Sequence, residues 1–80
     1  MKLVELTEFL VKNLVTDPES VSVREIDSEE YILIEVIVNN EDKGRVIGKG
    51  GSIANAIRTL VQASSYANNN KPVRINIDSL

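Results

Sequence analysis

The sequence predicts an α+β fold with the element order α-β-β-α-α-β, in which a three-stranded mixed sheet packs on helices. Three observations lead there. Leucines near the start recur at helical spacing. Two runs rich in β-branched residues then flank a short polar turn. A glycine cluster next separates two helical stretches, and a strictly alternating run follows them.

Residues 2 to 15 read as an amphipathic helix. Leu3, Leu6, Leu10 and Leu14 form its stripe beside Val4, Phe9 and Val11, while Lys2, Glu5, Glu8, Lys12 and Asn13 fall mainly on the other side. Thr16-Asp17-Pro18 is its predicted end, since proline cannot continue a helix and restricts the residue before it. Residues 21 to 26, with Val21, Val23 and Ile26, and residues 31 to 38 read as strands. Asp27-Ser28-Glu29-Glu30 joins them as an antiparallel hairpin. The second run is almost continuously apolar, which predicts a strand covered on more than one side.

Asn39-Asn40-Glu41-Asp42 stops that strand and caps a short helical turn through Lys43 to Ile47. Residues 48 to 51 are the glycine loop, and residues 52 to 67 a second full helix with Ser52 as its N-cap. Ile53, Ile57, Leu60, Val61 and Ser64 are its predicted inner stripe, and Asn55, Arg58, Thr59 and Gln62 its outer face. Asn68-Asn69-Asn70 makes the exit, and Pro72 opens the strand Val73-Arg74-Ile75-Asn76-Ile77. The long helical connection from residue 38 to residue 72 permits a crossover into a parallel neighbour.

Eighty residues without a linker or repeat predict one domain, residues 1–80. Cysteine and histidine are both absent, which removes disulfides, thiolate zinc sites, cysteine nucleophiles and histidine bases together. An enzyme is therefore disfavoured, and no cofactor is called for. Glu5 and Glu8 interrupt any hydrophobic start, so no signal peptide, membrane span or membrane partner is expected, and the predicted location is cytoplasmic. The net charge of −3 conceals an asymmetry. Residues 1–42 hold Lys2, Lys12 and Arg24 against eleven acids, whereas residues 43–80 hold six bases against Asp78 alone. A locally basic face can bind phosphate on an acidic protein, because salt screens charges beyond about 8–10 Å.

The basic half contains every glycine, three of them within Gly48-Lys49-Gly50-Gly51. Bare backbone admits a phosphate that side chains would hold away. The amides that open the next helix, the helix dipole and the Lys49 ammonium would add positive charge. The spacing is not that of a Walker A loop, because position 43 is lysine and position 50 glycine. It is not a dinucleotide fingerprint either, because position 53 is isoleucine. With only Phe9, Tyr31 and Tyr66 as aromatics, an RRM sheet or a base-stacking OB-fold is disfavoured.

What remains is a helix-Gly-x-x-Gly-helix unit, and Gly44-Arg45-Val46-Ile47-Gly48-Lys49-Gly50-Gly51 followed by Ile53 resembles the KH domain. The element order resembles its type II, prokaryotic arrangement, with the core motif at about residues 30–80 and the N-terminal helix added. Over the whole chain, including Leu14-Val15-Thr16-Asp17-Pro18-Glu19-Ser20-Val21 and Ile57-Arg58-Thr59-Leu60-Val61, it is similar to the small bacterial KhpA family. That resemblance implies a single-stranded RNA-binding protein acting as an RNA chaperone. It also implies a homodimer or a heterodimer with a larger KhpB-like protein, and a role in cell elongation and envelope homeostasis.

The implied RNA-binding residues are Arg45, Ile47, Gly48, Lys49, Gly50, Gly51, Ser52, Ile53, Asn55 and Arg58. Amides at Lys49, Gly50 and Gly51 would meet phosphates, while Ile47 or Ile53 would floor the bases. The resemblance also implies a basic residue at the position where this chain has Ser52. Gly44 reads as a packing glycine, Val46, Ile57 and Leu60 as core, and Lys71 and Arg74 as surface charges. The competing reading is a protein-interaction adaptor on the same scaffold, with little RNA affinity.

Overall fold

The computed structural model describes residues 2–68 and 71–80. Its elements are α1 (Leu3–Lys12), β1 (Ser22–Asp27), β2 (Ile32–Val38), α2 (Lys43–Ile47), α3 (Ser52–Asn68) and β3 (Val73–Ser79), which realise the predicted order. The sheet order is β1-β2-β3. β1 pairs antiparallel with β2, with Val23 opposite Val36, and β2 pairs parallel with β3, with Ile34 beside Ile75. The predicted exit at Asn69-Asn70 lies outside the described residues.

Helix α1 opens with the Glu5 carboxylate accepting the Lys2 N–H at 3.0 Å. It ends earlier than the proline signal predicts. The Asn13 side-chain amide donates to the Phe9 carbonyl at 2.6 Å, and the Leu14 N–H donates to Val11 at 2.9 Å, so the last turn closes before Thr16. The innermost line of α1 is Leu3, Thr7 and Val11, with Leu6, Leu10 and Leu14 half-buried beside it. Thr7 is accommodated there because its hydroxyl donates to the Leu3 carbonyl at 2.7 Å. Phe9 points outward and is 61% exposed.

The expectation that β2 is covered on both sides is corrected. Ile32, Ile34, Val36 and Val38 are fully buried, whereas Leu33, Glu35 and Ile37 between them are only half-buried. The helices seal one face, and the other is shielded by its own cross-strand neighbours. Leu33 lies between Ile26 and Arg74 in the register. Glu35 is held by Arg24 at 2.6 Å, and the Arg74 guanidinium sits 4.4 Å from the centre of the Tyr31 ring.

Two assignments on α3 are also corrected. Leu60 is 53% exposed, not core, and Gln62 turns inward. The Gln62 side chain donates to the Lys71 carbonyl at 2.9 Å and accepts the Val73 N–H at 2.7 Å, while the Ser65 hydroxyl donates to the same Lys71 carbonyl. The buried stripe is therefore Ile57, Val61 and Ser65. Lys71 is more than a surface charge. Its ammonium reaches Asp27 at 2.7 Å and the Ser28 carbonyl at 2.9 Å, tying the β1–β2 turn to the exit of α3.

Asp42 is the one fully buried charged residue among the described residues. Its carboxylate accepts the Thr16 N–H at 3.0 Å, the Thr16 hydroxyl at 2.9 Å and the Asp17 N–H at 3.2 Å. These bonds join the chain after α1 to the start of α2. The Thr16 amide, ahead of its hydroxyl, the Asp17 amide and Arg45, holds the carboxyl below its ordinary value of 3.8 against the opposing effect of burial. Asp78 is lowered as well, first by the Ser79 N–H and then by Lys43. A carboxyl whose folded pKa is depressed contributes stability above its unfolded value and loses it as pH falls through the folded one. The melting temperature should therefore fall as pH drops below about 4. Asp42→Asn should flatten that acid limb in a pH series of thermal melts, and an unchanged limb would contradict the assignment.

Candidate functional site

The glycine loop is the turn between α2 and α3, and at Gly48 it admits only glycine. Gly48 lies at φ 75°, ψ 173°, a region that side chains scarcely enter. A Cβ placed on it would lie 2.9 Å from the Ile53 nitrogen and closer still to the Ile53 side chain. Gly48 is thus where the loop crosses over the first turn of α3. Gly50 (φ 62°) and Gly51 (φ 81°) complete the loop as a tight, left-handed turn before α3. Beneath it, Val46 is buried, while Ile47 and Ile53 are half-buried on either side of the loop.

The loop's amides divide into two sets. Gly48 N–H donates to Gly44 at 2.9 Å, Gly51 N–H to Gly48 at 3.1 Å, and Ser52 N–H to Lys49. The amides of Lys49 and Gly50 make no main-chain bond among the described residues, and both residues are exposed. The expected donor set is therefore corrected. Lys49 and Gly50 have free amides, whereas Gly51 spends its own inside the turn. Ser52 is likewise no N-cap. Its backbone is already helical at φ −60°, ψ −40°, so it is the first residue of α3, and its exposed hydroxyl makes no hydrogen bond among the described residues.

Along α3, Asn55 follows Gly51 by one turn and Arg58 follows Asn55 by nearly another. The Asn55 amide nitrogen lies 3.8 Å from the position a Gly51 Cβ would take, and its oxygen accepts from Arg58 at 2.9 Å. Gly51, half-buried, and the exposed Asn55 and Arg58 thus form one row that starts at the loop. Arg45 stands apart from that row on α2, exposed, with its Nε 3.5 Å from Asp42. Gly44, expected to be required by packing, is not, since a Cβ there would meet nothing within 4 Å.

The edge of the sheet beside α3 is partly open. Ile32 N–H donates to the Pro72 carbonyl and Leu80 N–H to that of Val38. In a parallel ladder with those bonds, the main chain of Ile75 and Ile77 faces away from β2. Val73 N–H points the same way and is met by Gln62.

The acidic hairpin turn does not crowd the loop. The bond from Lys71 to Asp27 places that turn at the far end of α3, a helix of 17 residues and so about 25 Å long. That is beyond the ~8–10 Å over which exposed charges act at physiological salt. Sequence reading missed Asp42 and Gln62. Asp42 had no local signal because its partners are 25 and 26 residues away, and Gln62 had none because a lone glutamine on a helix is ordinarily solvated.

Comparison with known proteins agrees with this geometry. The family profile described as KhpA/KhpB, KH domain, matches residues 4–77. The RNA-binding protein KhpA of Clostridium perfringens is 51% identical over 69 residues, covering 86% of this chain and 92% of that protein. Its namesake from Borreliella burgdorferi is 40% identical over 74 residues, covering 92% of this chain and 89% of that one. Among solved structures, Era in complex with a nucleotide and a 16S ribosomal RNA fragment superposes with a TM-score of 0.72 at 20% identity, covering 96% of this chain and 29% of Era. Aquifex aeolicus Era bound to GDP and aluminium fluoride gives 0.74 at 20% identity, over 98% and 30%. These two likenesses concern the fold, in which this chain spans about three-tenths of the Era chain. With a type II KH arrangement and a family match over nearly its full length, the chain belongs to the KhpA/KhpB KH-domain family.

Proposed function

We propose that this protein binds single-stranded RNA through the glycine loop, as a binding module and not an enzyme. The observation that carries the reading is the exposed pair of free amides at Lys49 and Gly50, with the Lys49 ammonium beside them. A sugar-phosphate strand would contact these donors and continue along Asn55 and Arg58. Its bases would turn over Ile47 and Ile53 towards the open main chain of β3. Ser52, at the first turn of α3, offers a hydroxyl to the same strand. Relatives at up to 51% identity carry the name RNA-binding protein, which supports the same assignment.

Without aromatics at the loop, stacking of about 1–3 kcal/mol per base is missing, so a single domain should bind weakly and with little sequence preference. Two or three neutralised phosphates predict that log affinity falls with log salt at a slope between about −1.4 and −2.1. Titration of a labelled RNA octamer at several salt concentrations tests this, and binding that is absent or independent of salt contradicts it.

Weak sites gain from pairing. Helix α3 carries a single charged residue, Arg58, and exposes Leu60, which supports a homodimer or a heterodimer with a KhpB-like protein across that side of the helix. Sedimentation of the protein and of Leu60→Glu tests it. Association should weaken in the variant, and equal masses for the two would overturn it. Family membership supports the finer roles, those of an RNA chaperone in the cytoplasm that serves cell elongation and envelope homeostasis. The exposed α3 face also favours the adaptor as a second reading, which predicts partner binding without RNA binding.

A further inference from the structure

Asp42, whose bonds tie the chain after α1 to the start of α2, also pairs with the exposed Arg45. A buried carboxylate is expensive unless it is hydrogen-bonded and paired. Asp42 meets that condition with bonds from Thr16 and Asp17 and a 3.5 Å approach of the Arg45 Nε. Hydrogen-bonded to the main chain after α1, the carboxylate is a fixed point. Arg45 lies one helical turn on, three residues before Gly48, and its side chain is 60% exposed. A guanidinium has five N–H donors in a planar fork, and its contact with Asp42 is through Nε, which leaves terminal N–H groups for an incoming group. Such a fork suits bidentate contact with a phosphate, and holding it in place beforehand lowers the entropy lost on binding.

We infer that Asp42 is a positioning residue for RNA binding, which orients the Arg45 guanidinium to receive a backbone phosphate beside the glycine loop. The inference rests on the RNA-binding reading above and gives the Arg45 cation on α2, beside Lys49 at the loop and Arg58 on α3, a fixed orientation.

The test is a double-mutant cycle on affinity for the RNA octamer, using the full chain, with thermal melts to follow folding. Arg45→Gln should weaken binding about fivefold to tenfold and make the salt slope shallower by about 0.7, as loss of one phosphate contact requires. Asp42→Asn should weaken binding severalfold in the unaltered background and change nothing further once Arg45 is glutamine. Independent losses that simply multiply would mean that Asp42 acts only through the fold. Tighter binding by Asp42→Asn would mean that the carboxylate merely repels phosphate. Either result overturns the inference.

Should Asp42→Asn fail to fold, Arg45→Lys decides. It keeps the charge on an exposed side chain but loses the fork, so its affinity should fall nearly as far as that of Arg45→Gln. Full affinity in the lysine variant overturns the inference. No RNA binding by the unaltered protein removes the parent reading and this one together, whereas binding that is insensitive to Arg45→Gln removes this one alone.

Discussion

Gly48→Ala should destabilise the protein by about 3 kcal/mol, because two costs act at one position. The backbone there, at φ 75° and ψ 173°, lies in a region that L-residues avoid at roughly 1–3 kcal/mol. The added methyl would also meet the Ile53 nitrogen at 2.9 Å, and main chain cannot give way as a flexible side-chain tip can. In a domain of this size each kcal/mol lowers the melting temperature by about 4–8 °C, so a fall of roughly 12–24 °C is expected. Gly50→Ala is the control. Its φ of 62° is left-handed too, but a Cβ there meets nothing within 4 Å, so about 1 kcal/mol is expected. Circular dichroism melts of the two variants check the pair. Equal losses would mean that the contact between Gly48 and Ile53 does not matter.

Lys49→Asp combined with Gly50→Asp should abolish measurable binding of single-stranded RNA, with a loss on the order of a hundredfold, while the fold survives. The loss follows from charge. A cation beside two free amides becomes two carboxylates, and charge-assisted contacts of about 1.5–3 kcal/mol give way to repulsion. The fold survives because both residues are exposed and aspartate is among the residues that enter left-handed backbone. Titration with the RNA octamer beside a thermal melt checks both halves. Unchanged affinity in a folded double variant would remove the loop from the site. Partner binding that persists in this variant, with no RNA binding in the unaltered protein, would favour the adaptor.

The parts of the fold that rest on local patterns were legible in the chain. The bounds of α2 follow from the capping residues before it and the glycines after it, and the hairpin follows from four polar residues between two β-branched runs. The parallel pairing of β3 is one that the long helical connection permits. Patterns failed where contacts are distant or composition is bland. Helix α3 has one charge in 17 residues, so hydrophobic spacing could not choose between Leu60, which lies outside, and Gln62, which lies inside. The end of α1 was set by an asparagine side chain reaching back one turn, a local competitor to the proline signal.

At the site, the glycines and Lys49 could be read from sequence because the loop's chemistry is contained in consecutive residues. The division of its amides could not, since it depends on which carbonyls the turn brings within reach of Gly48, Gly51 and Ser52. The same holds for Asp42, whose bonds to Thr16 and Asp17 span 26 and 25 residues. Burial in a low-dielectric interior makes such long-range polar bonds worth forming, and composition carries no trace of them.

The central claim is that main-chain donors at the loop tip hold a phosphate. Amide chemical-shift mapping by nuclear magnetic resonance, with an RNA octamer added stepwise, addresses it residue by residue. The Lys49 and Gly50 signals should move furthest, with Asn55 and Arg58 following and the internally bonded Gly51 moving less. If Lys49 and Gly50 stay in place while signals on the open sheet face or on α1 shift, the loop is not the RNA-binding surface.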